Sequence, residues 1–390
     1  MIIARLLSDN SLYRSAAFLV MLVSCIGFFI FSINNPVENW DILGYAGSVA
    51  SLWETDAVAL HRGVYVEFEA YASSAAFQEL TQSTSYRQAM FEDAAAFGQQ
   101  IPYYKIRVAF IMLVALLMKL GINAYEAQHL LSAGFGCAGL FLLFLGLRHH
   151  IHSLLWISVP FFFYHFTHDL LVVQTGAVDS FGFFWVVLTL LAFVHRSPLL
   201  LPLLALSVLV RTDLILYVGL MFALVFFTDY TKWKVIGFWG VVCAGLYLWV
   251  NHWAGNYGWQ TVFYFVFMTD MEATHPSEYS QFGVSLQQYL QVLIRPQWVS
   301  KWLWFTLLGL VIACGMYLYR LRKLEGGTLV GQYIALGVVA IAYVAVHYIL
   351  FPVIFMRFFV AQYLVMLLAF MVAATCWWQH LVADESDLPA

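Results

Sequence analysis

The sequence predicts an all-α polytopic integral membrane protein with about 10–11 transmembrane helices and a long outer first loop that carries surface helices. Of its 390 residues, 63% are hydrophobic and only 10% are charged, and the mean hydropathy is +0.80. A soluble domain of this length needs far more charge to cover its surface. One long polar interval, residues 34–105, interrupts the apolar sequence near its start.

The apolar runs define the predicted spans. The first, at 15–33, has no small-residue cleavage site after it, so we interpret it as a retained span and not as a signal peptide. Several later runs are shorter than the roughly 20 residues that a perpendicular helix needs, which is typical of helices broken around a site. The later runs are 106–120, 127–147, 153–167, 179–195, 198–210, 213–228, 235–250, 301–320, 329–350 and 356–378.

Lysine and arginine in short loops predict the orientation of the chain. The inner side is expected to hold Arg5, Arg14, Arg148, Arg196, Lys232, Lys234 and the run Arg320-Leu321-Arg322-Lys323. Residues 34–105 and 251–300 then lie outside, together with most of the acidic residues. For a bacterial source this indicates a multi-pass inner-membrane protein with a periplasmic active face. Only one crossing is needed before Arg148, so we predict that segment 106–120 is re-entrant or interfacial.

The outer loop is predicted to be helical in two places. Residues 40–53 have apolar side chains near helical spacing and are interpreted as an amphipathic helix lying on the membrane. Residues 74–97 form a second helical region. The sequence has no repeat or linker, so residues 1–390 form one domain. All five cysteines lie inside apolar runs, which predicts buried thiols without disulfides.

Ionisable residues at span ends gather on the predicted outer side. Charges at membrane depth usually pair with one another or line a cavity. On the inner side, His149, His150 and His152 are expected to contact lipid phosphate or nothing, so no metal site is predicted there. The outer residues are Asp41, Lys105, Arg107, His168, Asp169, Asp179, Arg211, Asp213, Asp270 and Arg357.

Asp41 has two interpretations. It is either an acid that stabilises the start of a helix or a general base that accepts a proton from a hydroxyl group close to the bilayer. Glu38 lies within reach of the same site only if the intervening turn is helical. The pair Asp169 and Asp179 likewise marks either a solvated loop or a substrate-binding break between spans.

The arginines also leave two interpretations open. Arg211 belongs either to a tight turn with a local ion pair or to a phosphate site, where guanidinium binds in a bidentate way. Arg357 either extends towards the membrane surface or binds an anion. Tyr103, Tyr104, Lys105 and Arg107 are either a lipid-headgroup anchor or part of the substrate site.

These features together resemble the GT-C superfamily of polyprenyl-phosphate-sugar-dependent membrane glycosyltransferases. The resemblance rests on the first span, the long outer loop with its early acid Asp41, and the return through Ile101-Pro102-Tyr103-Tyr104-Lys105. A second likeness is Ser158-Val159-Pro160-Phe161-Phe162-Phe163-Tyr164, which leads into Asp169 and Asp179. Many members of that group have two adjacent acids in the first loop, whereas Asp41 has no acidic neighbour.

The resemblance implies transfer of a sugar from a polyprenyl-phosphate donor to a glycan, lipid or protein acceptor on the outer face. The reaction would invert the configuration at the anomeric carbon, and Asp41 would act as the general base. The donor phosphate would be bound by Arg211, by Arg357, or by Lys105 together with Arg107. No cofactor is expected; a divalent metal is not indicated, and nucleic acid is not a partner. A transporter or flippase for a lipid-linked or anionic solute is the main alternative, because it also explains intramembrane charges.

Overall fold

The computed structural model describes residues 11–166, 171–228, 231–294, 329–352 and 356–386. The predicted span 301–320 and the basic residues Arg5 and Arg320 to Lys323 lie outside these ranges, as do the candidate site residues His168 and Asp169. Within the described ranges the chain is helical and has no strand; one isolated β-bridge joins Val37 to Thr175.

The first span is α1 (Ser11–Asn34), and the polar interval after it contains five helices where two helical regions were predicted. Short polar side chains begin four of them: Asp56, Ser73, Thr84 and Asp93 each accept a hydrogen bond from a backbone N–H of the first turn. The helices are α2 (Asp41–Ala50), α3 (Ala57–Tyr71), α4 (Ser74–Gln82), α5 (Ser85–Glu92) and α6 (Ala94–Lys105), and α7 (Val108–Lys119) follows them.

Helix α2 corrects the expectation of an amphipathic helix lying on the membrane over 40–53. It is buried on both sides, because Leu43 packs in a cluster with Phe97 of α6 while Tyr45 packs in another with Phe110 of α7. The apolar spacing was real, but protein covers it instead of lipid. The first residue of α2, Asp41, is therefore held in place by packing from two sides.

Helices α6 and α7 form a bent pair, with an angle of 111° between them. Arg107 lies at the corner, where its backbone leaves the helical region (φ −94°, ψ 57°). A straight crossing over 106–120 does not occur, and the pair is either a broken span or a re-entrant segment. Pro102 lies inside α6 and does not end it.

In the described ranges after α7, most of the helices are apolar and joined by short connections. A second segment that was predicted to lie outside, 255–294, follows α14 and holds three short helices. The helices are α8 (Ala124–Leu147), α9 (Ser153–Phe166), α10 (Leu171–Gln174), α11 (Asp179–Val194), α12 (Leu200–Val210), α13 (Ile215–Phe227), α14 (Trp233–Ala254), α15 (Trp259–Phe267), α16 (Pro276–Tyr279), α17 (Leu286–Leu293), α18 (Leu329–Leu350) and α19 (Val360–Ser386).

Four of the described helices are long and apolar enough to cross a membrane, or five if the bent pair is one span. The four are α1, α8, α14 and α18. Shorter apolar helices, α9, α11, α12, α13 and the start of α19, lie between them. An all-α chain with membrane-spanning helices is thus confirmed, and the larger predicted number of crossings stays a prediction.

The two loops that were predicted to lie outside are in contact. Gln100 of α6 donates from Nε2 to the carbonyl oxygens of Ala273 (3.4 Å) and Thr274 (3.3 Å). Gln99 Oε1 accepts hydrogen bonds from the backbone N–H and the hydroxyl of Ser277, at 3.1 and 2.8 Å. Residues 34–105 and 255–294 therefore share one end of the helix bundle, as their common predicted sidedness requires.

Candidate functional site

Four of the predicted site residues lie at helix ends on this side of the bundle. Asp41 and Asp179 are the first residues of α2 and α11. Arg211 joins α12 to the 3₁₀ turn Thr212–Leu214, and Arg357 lies in the 3₁₀ turn Met356–Phe359 that precedes α19. Because these charged residues lie at helix ends, the middle of each helix stays apolar. Their side chains can still contact one another at the same depth in the bundle.

These residues and Asp213 form a continuous series of ion pairs, here called the aspartate–arginine chain. Arg357 Nη2 lies 2.8 Å from Asp41 Oδ2, and its Nε lies 3.7 Å from Asp179 Oδ2. Arg211 Nη1 lies 2.6 Å from Asp179 Oδ1. Arg211 also binds Asp213 in a bidentate way, with 3.1 Å from Nε to Oδ1 and 3.0 Å from Nη2 to Oδ2.

The centre of the chain is buried, since Asp179 is 5% exposed and Arg211 is 6% exposed. The Arg357 side chain is 22% exposed, and that of Asp41 is 23% exposed. The ring of Phe358 lies within reach of both guanidinium groups, 5.2 Å from Arg211 Cζ and 5.1 Å from Arg357 Cζ. The Arg357–Asp41 pair is therefore accessible to a ligand from outside, and Asp213 at the other end of the chain, with its side chain 27% exposed, is partly accessible too.

Helix α18 continues the chain on the other side of Asp213. Tyr343 donates a hydrogen bond to Asp213 Oδ2 at 3.1 Å, and His347 Nε2 lies 4.0 Å from the same oxygen. Both side chains are buried. Their spacing of four residues places them on one face of α18.

Two glycines allow the close approach of these side chains. A Cβ atom at Gly182 would lie 2.9 Å from Arg211 Cδ, so a side chain there would displace the arginine. A Cβ atom at Gly44 would lie 2.5 Å from the ring of Tyr104. The Tyr104 hydroxyl donates to Asp41 Oδ1 at 3.1 Å, so the absent side chain at Gly44 lets this contact form.

Aromatic rings enclose Asp41 on the side of the loop helices. Trp40 lies 5.8 Å from Tyr104 and 5.6 Å from Tyr86 between ring centroids. Burial in this cluster raises the pKa of Tyr86 well above its usual range, so its ring stays neutral.

Arg107 and Lys105 provide positive charge that no carboxylate in the described residues pairs with. Arg107 interacts electrostatically with Asp179 and Asp213, and its Nη1 donates to the Tyr103 carbonyl oxygen. Its Nε is buried without a hydrogen-bond partner among the described residues. Lys105 Nζ lies 4.9 Å from the ring centroid of Trp253.

Glu38 takes part in a separate contact next to the chain, here called the Glu38–His129 pair. Its Oε2 lies 3.5 Å from His129 Nε2, and its Oε1 accepts a hydrogen bond from the Tyr125 hydroxyl. His129 Nδ1 lies 2.8 Å from the carbonyl oxygen of Gln174. Three segments meet here: the start of the loop, the first turns of α8, and α10.

Two other candidates are not joined to the chain. The Tyr103 ring packs against Tyr257 and Phe265, each 5.5 Å away between centroids. Asp270 is exposed in a turn with a left-handed backbone (φ 49°). At the other end of the bundle, His150 lies 2.7 Å from the Tyr333 hydroxyl and holds α18 against the end of α8.

The space between these charges is small. A cavity of about 10 Å³, enough for one water molecule, is lined by Asp179, Arg211, Arg357, Phe358 and Gln362 among others. Three carboxylates against two guanidinium groups leave the aspartate–arginine chain with one negative charge when His347 is neutral. No group of three or more His, Cys, Asp or Glu side chains in the described ranges is arranged to hold a metal ion.

Sequence reasoning missed the residues that contact the chain from within apolar helices. Tyr343 and His347 stand in an otherwise apolar run, and an intramembrane histidine is a signal for a buried polar partner. His129 and Tyr125 had a weaker signal, since they begin a span where polar residues are common. Nothing in the sequence pointed to the role of Gly44 or Gly182.

Comparison of the chain with profiles of known protein families, with curated proteins and with solved structures finds no significant match.

Proposed function

We propose that this protein is a membrane glycosyltransferase that moves a sugar from a polyprenyl-phosphate donor to an acceptor hydroxyl. The observation that carries the proposal is the 2.8 Å contact between Asp41 and Arg357. It joins the residue best placed to act as a base to a guanidinium suited to bind phosphate. Both are reachable from outside, whereas their partners behind them are buried.

The donor phosphate would compete with Asp41 for Arg357. Two oxygens of a phosphate group accept bidentate hydrogen bonds from guanidinium as the two oxygens of a carboxylate do. When Arg357 turns to the phosphate, Asp41 Oδ2 loses its partner and is free to accept a proton. Tyr104 still donates to Oδ1 and holds the carboxylate in place.

Arg107 is the second cation proposed for the phosphate. Its Nε has no hydrogen-bond partner among the described residues, and its charge lies near the chain without belonging to a pair. Its positive charge would offset the single negative charge of the aspartate–arginine chain, which alone repels an anion. Lys105, which lies beside Trp253, would then contact the monophosphate headgroup of the donor at the membrane surface.

The chemical step is a single displacement. The acceptor oxygen forms a bond to the anomeric carbon while its proton passes to Asp41, and the bond from that carbon to the phosphate oxygen breaks. The electron pair of the broken bond stays on the phosphate, where Arg357 and Arg107 stabilise the added charge. Attack from the face opposite the phosphate inverts the anomeric configuration.

A transporter or flippase for a lipid-linked or anionic solute is the competing proposal. Buried ion pairs that join several helices, as Arg211 and Arg357 do here, also occur in carriers. The five helices of the first loop favour the transferase, because they build one wall of the site around Asp41.

The test is a product assay on purified protein in detergent with a radiolabelled polyprenyl-phosphate sugar and candidate acceptors. A transferase releases free polyprenyl phosphate and labels the acceptor. A carrier leaves the donor intact and moves it across the bilayer of proteoliposomes. Intact donor in the first assay together with movement in the second would reject the glycosyltransferase.

A further inference from the structure

We propose that the Glu38–His129 pair takes up the proton that Asp41 receives in each turnover and passes it to the outer water. This inference rests on the proposed function, since it assigns the proton step that follows sugar transfer. Every turnover leaves one proton on Asp41. That proton must leave before the Asp41 carboxylate can pair with Arg357 again.

The hydrogen bonds of His129 define where its lone pair lies. A carbonyl oxygen only accepts, so Nδ1 carries the proton in the 2.8 Å contact with Gln174. In the neutral ring Nε2 is then the unprotonated nitrogen. It is buried, the residue is 5% exposed, and Nε2 has no hydrogen-bond partner among the described residues.

Glu38 places a second acceptor atom without a hydrogen bond next to His129 Nε2. Its Oε2 is also buried and without a hydrogen bond in the described ranges, while Oε1 is held by Tyr125. The 3.5 Å between Oε2 and Nε2 is longer than the roughly 2.7–2.9 Å of a charge-assisted hydrogen bond. Two facing lone pairs at this separation are the geometry of a pair that has room for one proton.

Asp41 and Asp179 have no carboxylate oxygen without a partner. Both Asp41 oxygens are engaged, by Tyr104 and by Arg357. Asp179 is held between Arg211 and Arg357. Asp213 also lies near an imidazole, that of His347, but both of its oxygens already accept hydrogen bonds from Arg211 or Tyr343. Glu38 instead has an oxygen without a hydrogen bond beside an imidazole that can gain a proton.

Proximity along the chain links the two sites. Glu38 and Asp41 are three residues apart, which limits their Cα separation to about 11 Å. Water molecules between the two side chains would carry the proton across this gap. The proton leaves the Asp41 carboxyl, binds His129 Nε2 to give an imidazolium paired with the Glu38 carboxylate, and then passes to water or buffer.

Single-turnover and steady-state rates separate this role from others. With enzyme in excess over donor, each molecule reacts once, so His129→Gln and Glu38→Gln should release polyprenyl phosphate at the wild-type rate. Under steady-state conditions in weak buffer both variants should slow by at least about tenfold, a modest share of what an acid–base group contributes. Imidazole buffer added in increasing amounts should restore the rate, because it removes the proton directly. His252→Gln, an exposed histidine of α14, is the matched control.

A loss of the single-turnover rate equal to the steady-state loss would overturn the proposal, since the pair would then be structural or the direct base. Unchanged rates in both regimes would overturn it as well. ¹⁵N spectra of histidine-labelled protein provide an independent arm: the Nε2 signal of His129 should move in Glu38→Gln, and an unmoved signal would show that no pair exists. If the wild type itself releases no polyprenyl phosphate in a single turnover, the proposed function fails, and that result is distinct from either outcome for the variants.

Discussion

At the scale of single residues, Asp41 provides the most direct test. Asp41→Asn keeps the size and most hydrogen bonding but cannot take a proton, so it should fold, bind the donor and transfer sugar at no more than about a hundredth of the normal rate. Both steady-state and single-turnover rates should fall. Asp270→Asn is the matched control, because Asp270 is exposed and its left-handed backbone suits asparagine.

An Asp41→Asn protein that keeps its full transfer rate would remove this residue from catalysis. A protein that fails to express would instead identify Asp41 as a structural partner of Arg357. The assay therefore includes the thermal midpoint of each variant in detergent.

The two arginines should respond differently to replacement. Lysine in place of Arg357 keeps the charge and loses the bidentate fork. Arg357→Lys should weaken donor binding about tenfold or more, on the order of the 1.5–3 kcal/mol of a charged hydrogen bond. Arg211→Ala should instead destabilise the fold by about 3–5 kcal/mol, because it removes the shared partner of the buried Asp179 carboxylate and the partly buried Asp213 carboxylate. Donor titrations and thermal unfolding measure the two effects. Unchanged donor affinity in both Arg357→Lys and Arg357→Ala would exclude Arg357 from phosphate binding.

Sequence reasoning went furthest at this scale. Asp41, Asp179, Arg211 and Arg357 were singled out because charges at span ends need partners, and the structure joins all four. What the sequence could not specify is the order of pairing. Asp179 contacts both guanidinium groups, whereas Asp41 contacts Arg357 and Asp213 contacts Arg211. This order depends on side-chain packing, such as that of Phe358 and Gly182 against Arg211, which the sequence does not show.

At the scale of helices, the contact of α11 with Arg211 depends on a missing side chain. Gly182→Ala should destabilise the protein by roughly 1–3 kcal/mol, since the new Cβ would lie 2.9 Å from Arg211 Cδ and force the arginine to shift. Gly245→Ala in α14 has nothing within 4 Å and should cause no loss. Thermal unfolding of both variants checks this, and equal midpoints would show that Arg211 adapts without cost.

The wrong interpretation of α2 has a physical reason. An amphipathic spacing tells which face is apolar but not what covers it, and lipid and protein are equally suitable for Leu43 and Val49. The bend at Arg107 was easier to predict, because a short apolar run with a charge at each end is a poor straight span. The first-loop helices could have been placed more finely from their capping residues, such as Asp56 and Asp93.

At the scale of the whole molecule, sidedness remains to be measured. Single cysteines at Ser74 and Glu278, in the two loops that contact each other, should both react with an impermeant thiol reagent on intact spheroplasts. Lys234→Cys, on the predicted inner side, should react only after permeabilisation. Cys25, Cys137 and Cys243 are buried, and the unsubstituted protein measures the background labelling of all five cysteines. Labelling at Ser74 without Glu278 would contradict the contact between the loops.

The position of the aspartate–arginine chain at one end of the bundle has an electrical consequence. A membrane potential does about 2.3 kcal/mol of work per 100 mV only on a charge that crosses the bilayer. In the proposed transfer the phosphate, Asp41 and Arg357 exchange partners at one depth, so no charge crosses. Turnover in proteoliposomes should therefore stay constant when a potassium diffusion potential of either sign is imposed. The movement of an anionic lipid headgroup by a flippase would instead change its rate with voltage.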